Sequence, residues 1–159
     1  MENISSYQKI LEKYFTNSMI ETINIMTGFE ICEIIIEHNN LPKNNDYFTG
    51  IMILTGKKNF MISISVSKEV GKNLVEAITG IEKNKLLDED IYDGLMELAN
   101  IVAGSTKINI QNTEFSYELT YPFIVIGENH KMVHKKNIPI TIKKFKGVDV
   151  EIIFKIFLF

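Results

Sequence analysis

The sequence predicts an α/β (α+β) fold in which an antiparallel or mixed sheet carries two long helices side by side on one face. Two segments have apolar residues at helical spacing, and the segments between and after them are rich in β-branched residues. An internal repeat links the two long helices. The 159 residues suffice for one sizeable core and are too few for two ordinary domains, so we expect a single domain over residues 1–159.

The sequence predicts three helices, of which the first has Ser5 or Ser6 as its N-cap and Gly28 at its end, and the second ends at Gly80. They cover 5–27, 68–79 and about 88–107. The predicted strands are apolar segments separated by turn residues. They lie at 29–38, 47–55, 59–66, 114–120, 122–126, 138–145 and 148–158, with a loop at 41–46.

The repeat joins ETINIMTG at residues 21–28 to ELANIVAG at residues 97–104, and both read Glu-x-x-Asn-Ile-x-x-Gly. Four identities at fixed spacing also arise by chance in a sequence rich in Ile and Asn. The same order of elements follows each copy, which favours an ancient duplication. A duplication predicts two related halves packed about a pseudo-twofold axis.

Composition excludes several classes of function. The net charge of −3 gives no electrostatic reason to expect nucleic acid or an anionic membrane as a partner. No apolar run approaches the roughly 20 residues that span a bilayer, and the first residues do not resemble a signal peptide. Cys32 is the only cysteine, which fits a reducing cytoplasm, and we expect it to be a core thiol on the same strand face as Ile34.

The third predicted helix carries a polar stripe opposite its apolar face. Steps of four, three and four residues place the stripe on one side of the helix; its members are Asp93, Glu97, Asn100 and Gly104. The opposite side is apolar, with Ile91, Leu95, Leu98 and Val102. The apolar side alone provides the helix's contacts with the core. The polar stripe must therefore face water or a partner. An ordinary solvated face is the simpler alternative.

The segment DGLMELANIVAG, residues 93–104, resembles the signature of the CheX, CheC and FliY phosphatases. That signature has Asp or Ser, three residues, Glu, two residues, Asn, and a proline a little over twenty residues later. Here the matching positions are Asp93, Glu97, Asn100 and Pro122. The order of helices and strands is similar along nearly the whole chain, and the size is most similar to CheX. The resemblance implies a CheC-like fold.

The resemblance also implies an activity: hydrolysis of the aspartyl phosphate of a CheY-like response regulator in chemotaxis. Asn100 would orient the attacking water and Glu97 would contact a lysine of the regulator, with Asp93 and Gly104 at the edge of the partner contact. The Mg²⁺ ion would belong to the regulator, so no cofactor is expected in this chain. CheX-type proteins are dimers, and the Ile- and Phe-rich terminal strands suggest a homodimer formed through them.

The first helix presents a second copy of the stripe, with Asn17, Glu21, Asn24 and Gly28 opposite Phe15, Met19, Ile23 and Met26. CheC-like relatives can carry active motifs on both helices, whereas one is expected in CheX-like ones. Residue 17 is Asn where the motif has Asp or Ser. Glu21 and Asn24 are therefore either a second working site or a remnant.

Two other functions stay open: a non-catalytic module that binds a receiver or the flagellar switch, and a structural protein whose stripe is buried between subunits. The segment 128–136 contains His130, His134 and three lysines. Its lysine-rich, β-type sequence favours a solvated hairpin over a helix that could present both histidines to a metal ion. No metal site is expected.

Overall fold

A computed structural model of the chain describes residues 2–35, 47–127 and 135–159. These ranges contain three α-helices, a short 3₁₀ helix and seven strands. The helices are α1 (Glu2–Thr27), α2 (Lys68–Thr79) and α3 (Asp88–Ile110), and the 3₁₀ helix is Lys83–Lys85. The strands are β1 (Cys32–Ile34), β2 (Tyr47–Gly56), β3 (Phe60–Ser67), β4 (Tyr117–Leu119), β5 (Phe123–Gly127), β6 (Ile140–Lys146) and β7 (Glu151–Leu158).

Local capping explains where the helices begin and end. The Ser67 hydroxyl accepts a hydrogen bond from the Val70 amide at the start of α2, and the Asp90 carboxylate accepts one from the Leu87 amide at the start of α3. Gly28 follows α1 with φ +74°, a left-handed conformation that favours glycine. The predicted bounds of α2 are confirmed, whereas α1 begins at Glu2, before the predicted cap, and α3 continues to Ile110.

The sheet is antiparallel at every described pairing, in the order β1-β6-β7-β3-β2-β4, with β5 also paired to β2. This order is symmetrical about the central β3–β7 pair. The β2 and β6 strands flank that pair, and each half of the chain contributes an outer strand to the other half: β1 pairs with β6, while β4 and β5 pair with β2. The predicted pseudo-twofold repeat is confirmed.

The long helices α1 and α3 pack against each other and, with α2, cover one face of the sheet, as predicted. The apolar side of each long helix is buried against alternate residues of the strands. Helix residues in this core include Phe15, Met19, Ile23, Ile91, Leu95, Leu98 and Val102, and strand residues include Met52, Leu54, Phe60, Ile62, Ile64 and Phe154. Met26, the last apolar residue of the α1 stripe, is half-buried.

The prediction for Cys32 is wrong. The Cys32 side chain is exposed, and in the described residues β1 is limited to Cys32–Ile34. The β1 strand lies at the end of the sheet with β6 as its paired neighbour, so its alternating residues are not enclosed. Residues 36–38 of the predicted strand, and the predicted loop at 41–46, lie outside the described residues.

The structure also corrects the proposed dimer contact. The predicted buried final strand is present as β7, but β7 is hydrogen-bonded to β3 on one side and to β6 on the other. It therefore has no free edge with which to pair a second copy, and the prediction of a dimer through this strand edge is wrong. A strand rich in Ile and Phe occupies the centre of the sheet because the centre buries the most apolar surface. A homodimer by another contact stays a prediction.

No helix in the described part of the chain is both long and apolar enough to cross a membrane. His130 and His134, in the predicted solvated hairpin, lie outside the described residues.

Candidate functional site

The polar stripe of α3 lies on the outer side of the helix. Asp93 and Glu97 are exposed, and Asn100 and Gly104 are half-buried. Within residues 2–35, 47–127 and 135–159, the side chains of Asp93, Glu97 and Asn100 make no hydrogen bond or ion pair. The structure thus brings the predicted residues together on one surface and leaves the carboxylates and the carboxamide available to a partner.

Next to the stripe, the backbone of α3 packs directly against the backbone of β2. A β-carbon built on Gly50 of β2 would lie 2.9 Å from the carbonyl oxygen of Leu95, closer than real side chains approach. Only glycine permits this contact between strand and helix backbones. A glycine inside a predicted strand signals such an approach, but the sequence does not say which helix makes it.

The short strand β4 contacts α3 at the C-terminal end of the stripe. The Tyr117 hydroxyl donates a hydrogen bond of 2.8 Å to the Ala103 carbonyl oxygen, and Lys107 Nζ lies 2.6 Å from Glu118 Oε2. A β-carbon on Gly104 would meet Leu119 Cδ1 at 4.0 Å, an ordinary contact, and no described backbone atom of another element within 4 Å. Tyr117 is a residue that the sequence analysis missed, because no local pattern links it to α3.

A cleft of about 260 Å³ opens beside Glu97, between α2 and α3. Val75 and Ile78 of α2 form its apolar wall, and Asp90, Asp93 and Glu97 provide its carboxylates. The Asp90 carboxylate is engaged in capping α3. The mouth of the cleft is therefore acidic, and its wall suits the aliphatic part of a long side chain.

The second copy of the stripe lies near the end of α1. Asn17, Glu21 and Asn24 are all exposed. The helix ends at Thr27, and the Gly28 amide donates a hydrogen bond of 2.8 Å to the Asn24 carbonyl oxygen. Glu21 and Asn24 thus occupy the last two turns of α1, whereas Glu97 and Asn100 lie in the middle of α3.

Among the described residues, no group of three or more His, Cys, Asp or Glu side chains is arranged to hold a metal ion. The stripe offers hydrogen-bond donors and acceptors and negative charge.

Solved structures share this fold. The chain matches a CheX from Vibrio vulnificus with a TM-score of 0.78 at 19% identity, covering 94% of this chain and 96% of that one. It matches a CheC-like superfamily protein from Shewanella with a TM-score of 0.76 at 20% identity, covering 94% and 97%. It matches the CheX-CheY-BeF₃-Mg²⁺ complex from Borrelia burgdorferi with a TM-score of 0.72 at 19% identity, covering 92% and 96%.

The fold is therefore the CheC-like fold that the resemblance implies. The family model described as chemotaxis phosphatase CheX matches residues 48–146, more than half of the chain. The chain belongs to the CheX family. The matched range includes Glu97 and Asn100 and excludes α1. No curated protein sequence matches the chain.

Proposed function

We propose that this protein hydrolyses the aspartyl phosphate of a CheY-like response regulator in chemotaxis signalling, in the cytoplasm. The observation that carries the proposal is the outward stripe of Glu97 and Asn100 on α3, which makes no side-chain bond within the described residues and lies inside the range matched by the chemotaxis phosphatase family. The similar fold of a CheX in complex with CheY supports a regulator as the partner.

Asn100 is the group that orients the attacking water. Its carboxamide offers an acceptor oxygen and a donor nitrogen, so it can hold a water molecule in line with phosphorus without being a strong base. Water oxygen forms the new bond to phosphorus, the bond to the aspartyl oxygen breaks, and the regulator regains its carboxylate as inorganic phosphate leaves. Phosphoryl transfer depends mainly on positioning, which a fixed helix supplies.

Glu97 fixes the position of the regulator on the helix. Its carboxylate stands at the acidic mouth of the cleft between α2 and α3, where it can pair with a lysine ammonium of the regulator. Asp93 and Gly104 lie on the same stripe and border the contact. The Mg²⁺ ion is part of the regulator, and this chain provides no cofactor of its own.

The decisive experiment is the decay of regulator phosphate in the presence of the wild-type protein and single variants. Asn100→Ala should remove most of the acceleration, by roughly 10²–10³ in rate, the usual effect of one preorganised polar group. Asn109→Ala is the matched control, because Asn109 is an exposed Asn of the same helix that bonds only to its own helix, at the Ser105 carbonyl.

Equal rates for the wild type and Asn100→Ala would overturn the assignment of Asn100. If the protein binds the phosphorylated regulator without shortening the lifetime of its phosphate, the protein is a non-catalytic binding module and not a phosphatase.

A further inference from the structure

We propose that the Tyr117 hydroxyl is a positioning group for Asn100, acting through the backbone of α3. The inference rests on the proposed function for its effect on rate, while the anchoring itself is a property of the fold. Tyr117 donates a hydrogen bond of 2.8 Å to the Ala103 carbonyl oxygen, within the turn of α3 that follows Asn100.

The hydroxyl is held in one place by the packing of its ring. The Tyr117 side chain is 2% exposed. Its ring lies parallel to that of Phe15, with centroids 6.4 Å apart and planes 3° apart, and edge-on to that of Phe60 at 6.1 Å. Burial raises the pKa of Tyr117 far above its ordinary value, so the hydroxyl remains protonated and donates throughout the physiological range.

A carbonyl inside a helix is already bonded to the amide four residues later, so a second donor from a strand is an addition to the helix ladder. This bond has a counterpart on the other side of Asn100. The Leu95 carbonyl of α3 rests against Gly50 of β2. The two contacts lie about 12 Å apart along the helix axis at 1.5 Å per residue, and Asn100 lies between them. Two backbone carbonyls of α3 are thus contacted from different strands, one by the Tyr117 side chain and one by Gly50, and these contacts fix the distance of the helix from the sheet and its rotation at Asn100.

Among the described residues, no strand side chain donates a hydrogen bond to the last turn of the second copy on α1. The α1 helix ends at Thr27, so Asn24 lies in the final turn, and helix ends fray. The equivalent part of α3 continues to Ile110 and is tied to β4 through Ala103. This hydrogen bond from Tyr117 to Ala103, called the tyrosine anchor, therefore distinguishes the α3 copy, whose orientation is fixed, from the α1 copy.

The test compares Tyr117→Phe with Thr49→Val. Tyr117→Phe removes only the hydroxyl and keeps the ring packing. Thr49→Val removes a different buried hydroxyl, which pairs with Ser65 Oγ at 2.8 Å between β2 and β3 and belongs to the sheet face that points away from α3. Both variants lose a buried hydrogen bond, which joins Tyr117 to α3 in the first case and Thr49 to Ser65 of β3 in the second.

Two readouts are measured on the full chain: amide hydrogen exchange, resolved by residue, and steady-state hydrolysis of regulator phosphate. Tyr117→Phe should speed exchange in the part of α3 from residue 100 onwards, and should lower kcat roughly tenfold with KM within twofold, as expected for lost orientation. Thr49→Val should leave both the α3 exchange pattern and kcat as in the wild type.

Unchanged exchange in α3, or an unchanged kcat, for Tyr117→Phe would overturn the inference. An equal loss of kcat in Thr49→Val would also overturn it, because the loss would then follow general stability. A wild-type protein that leaves the phosphate lifetime unchanged would overturn the proposed function instead, and hydrogen exchange would still decide whether the anchor exists.

Discussion

Gly50 of β2 and Leu95 of α3 touch backbone to backbone: a β-carbon at residue 50 would stand 2.9 Å from the Leu95 carbonyl oxygen. This contact sets the distance between α3 and the sheet. Any side chain at residue 50 must either push α3 outwards or distort β2, since both are held by pairing and packing on their other sides.

Gly50→Ala should therefore destabilise the protein by about 1–3 kcal/mol, the usual cost of overpacking a close-packed interior. The measurement is the free energy of unfolding from urea titration. Gly104→Ala is the control, because a β-carbon there meets only Leu119 Cδ1 at 4.0 Å. In a helix this change should instead stabilise by roughly 0.5–1 kcal/mol. Destabilisation of similar size in both variants would contradict the close contact at Gly50.

Gly104→Ala also tests whether the regulator approaches the stripe at Gly104. If a partner backbone lies close to the helix at this point, the added methyl group should raise the KM for the phosphorylated regulator about fivefold or more while the protein becomes more stable. Ser105→Ala, on the neighbouring position of the helix, provides the comparison for a small change next to the stripe. An unchanged KM in Gly104→Ala would remove Gly104 from the partner contact.

Local patterns were sufficient to predict most of the fold. The spacing of Ile91, Leu95, Leu98 and Val102 identified the buried side of α3, and the stripe opposite it followed from the same periodicity. Gly80 marked the end of the predicted second helix, and α2 ends there in the structure. The repeated Glu-x-x-Asn-Ile-x-x-Gly segments predicted the symmetry that the strand order displays.

The predictions that were wrong or missing concern features that depend on which elements pack next to each other. The sequence of β1 is apolar enough for a core strand, yet its place at the end of the sheet leaves Cys32 exposed. The apolar β7 suggested an open edge, yet both of its edges are paired. The bond from Tyr117 to Ala103 joins a strand to a helix through tertiary packing, for which a single sequence contains no local signal.

Lys155 provides a prediction about stability and pH. It lies on β7 in register with Ser63 on one side and Ile142 on the other, and burial lowers its pKa from the ordinary value of 10.5. A lysine whose pKa is lower in the folded state weakens folding while it is charged. This penalty is complete below the folded-state pKa, and it disappears as the pH rises towards 10.5.

Lys155→Met should therefore stabilise the protein near pH 7 by roughly 0.5–1 kcal/mol, a range that allows for water around the partly exposed ammonium. The difference between the variant and the wild type should shrink as the pH is raised from neutral to alkaline values. Urea titrations of both proteins at several pH values give this difference directly. Lys57→Met, at an exposed position in the β2–β3 turn, should show neither effect. A gain that stays constant with pH would contradict the role of the charge.

The α1 copy of the motif allows a prediction by comparison with α3. Asn24→Ala should reduce the acceleration of phosphate hydrolysis by much less than Asn100→Ala, since Asn24 lies in the final turn of α1 and outside the family match. The measurement is the regulator phosphate lifetime with each single variant and with the double variant. A double variant no slower than Asn100→Ala alone would identify the α1 copy as a remnant. Equal losses from the two single variants would instead establish two working sites.

Glu97→Gln separates binding from chemistry at the stripe. The change keeps the shape of the side chain and removes one negative charge at the mouth of the cleft between α2 and α3. Because Glu97 is proposed to pair with a lysine in both the bound and the reacting complex, the variant should raise KM roughly fivefold to tenfold and leave kcat within twofold. The KM of the wild type should rise with salt more steeply than that of the variant, since one ion pair is missing. Glu30→Gln makes the same change of net charge at an exposed position after α1 and should leave KM unaltered. A fall in kcat at constant KM in Glu97→Gln would contradict this role and show that the carboxylate acts in the chemical step and not in binding the regulator.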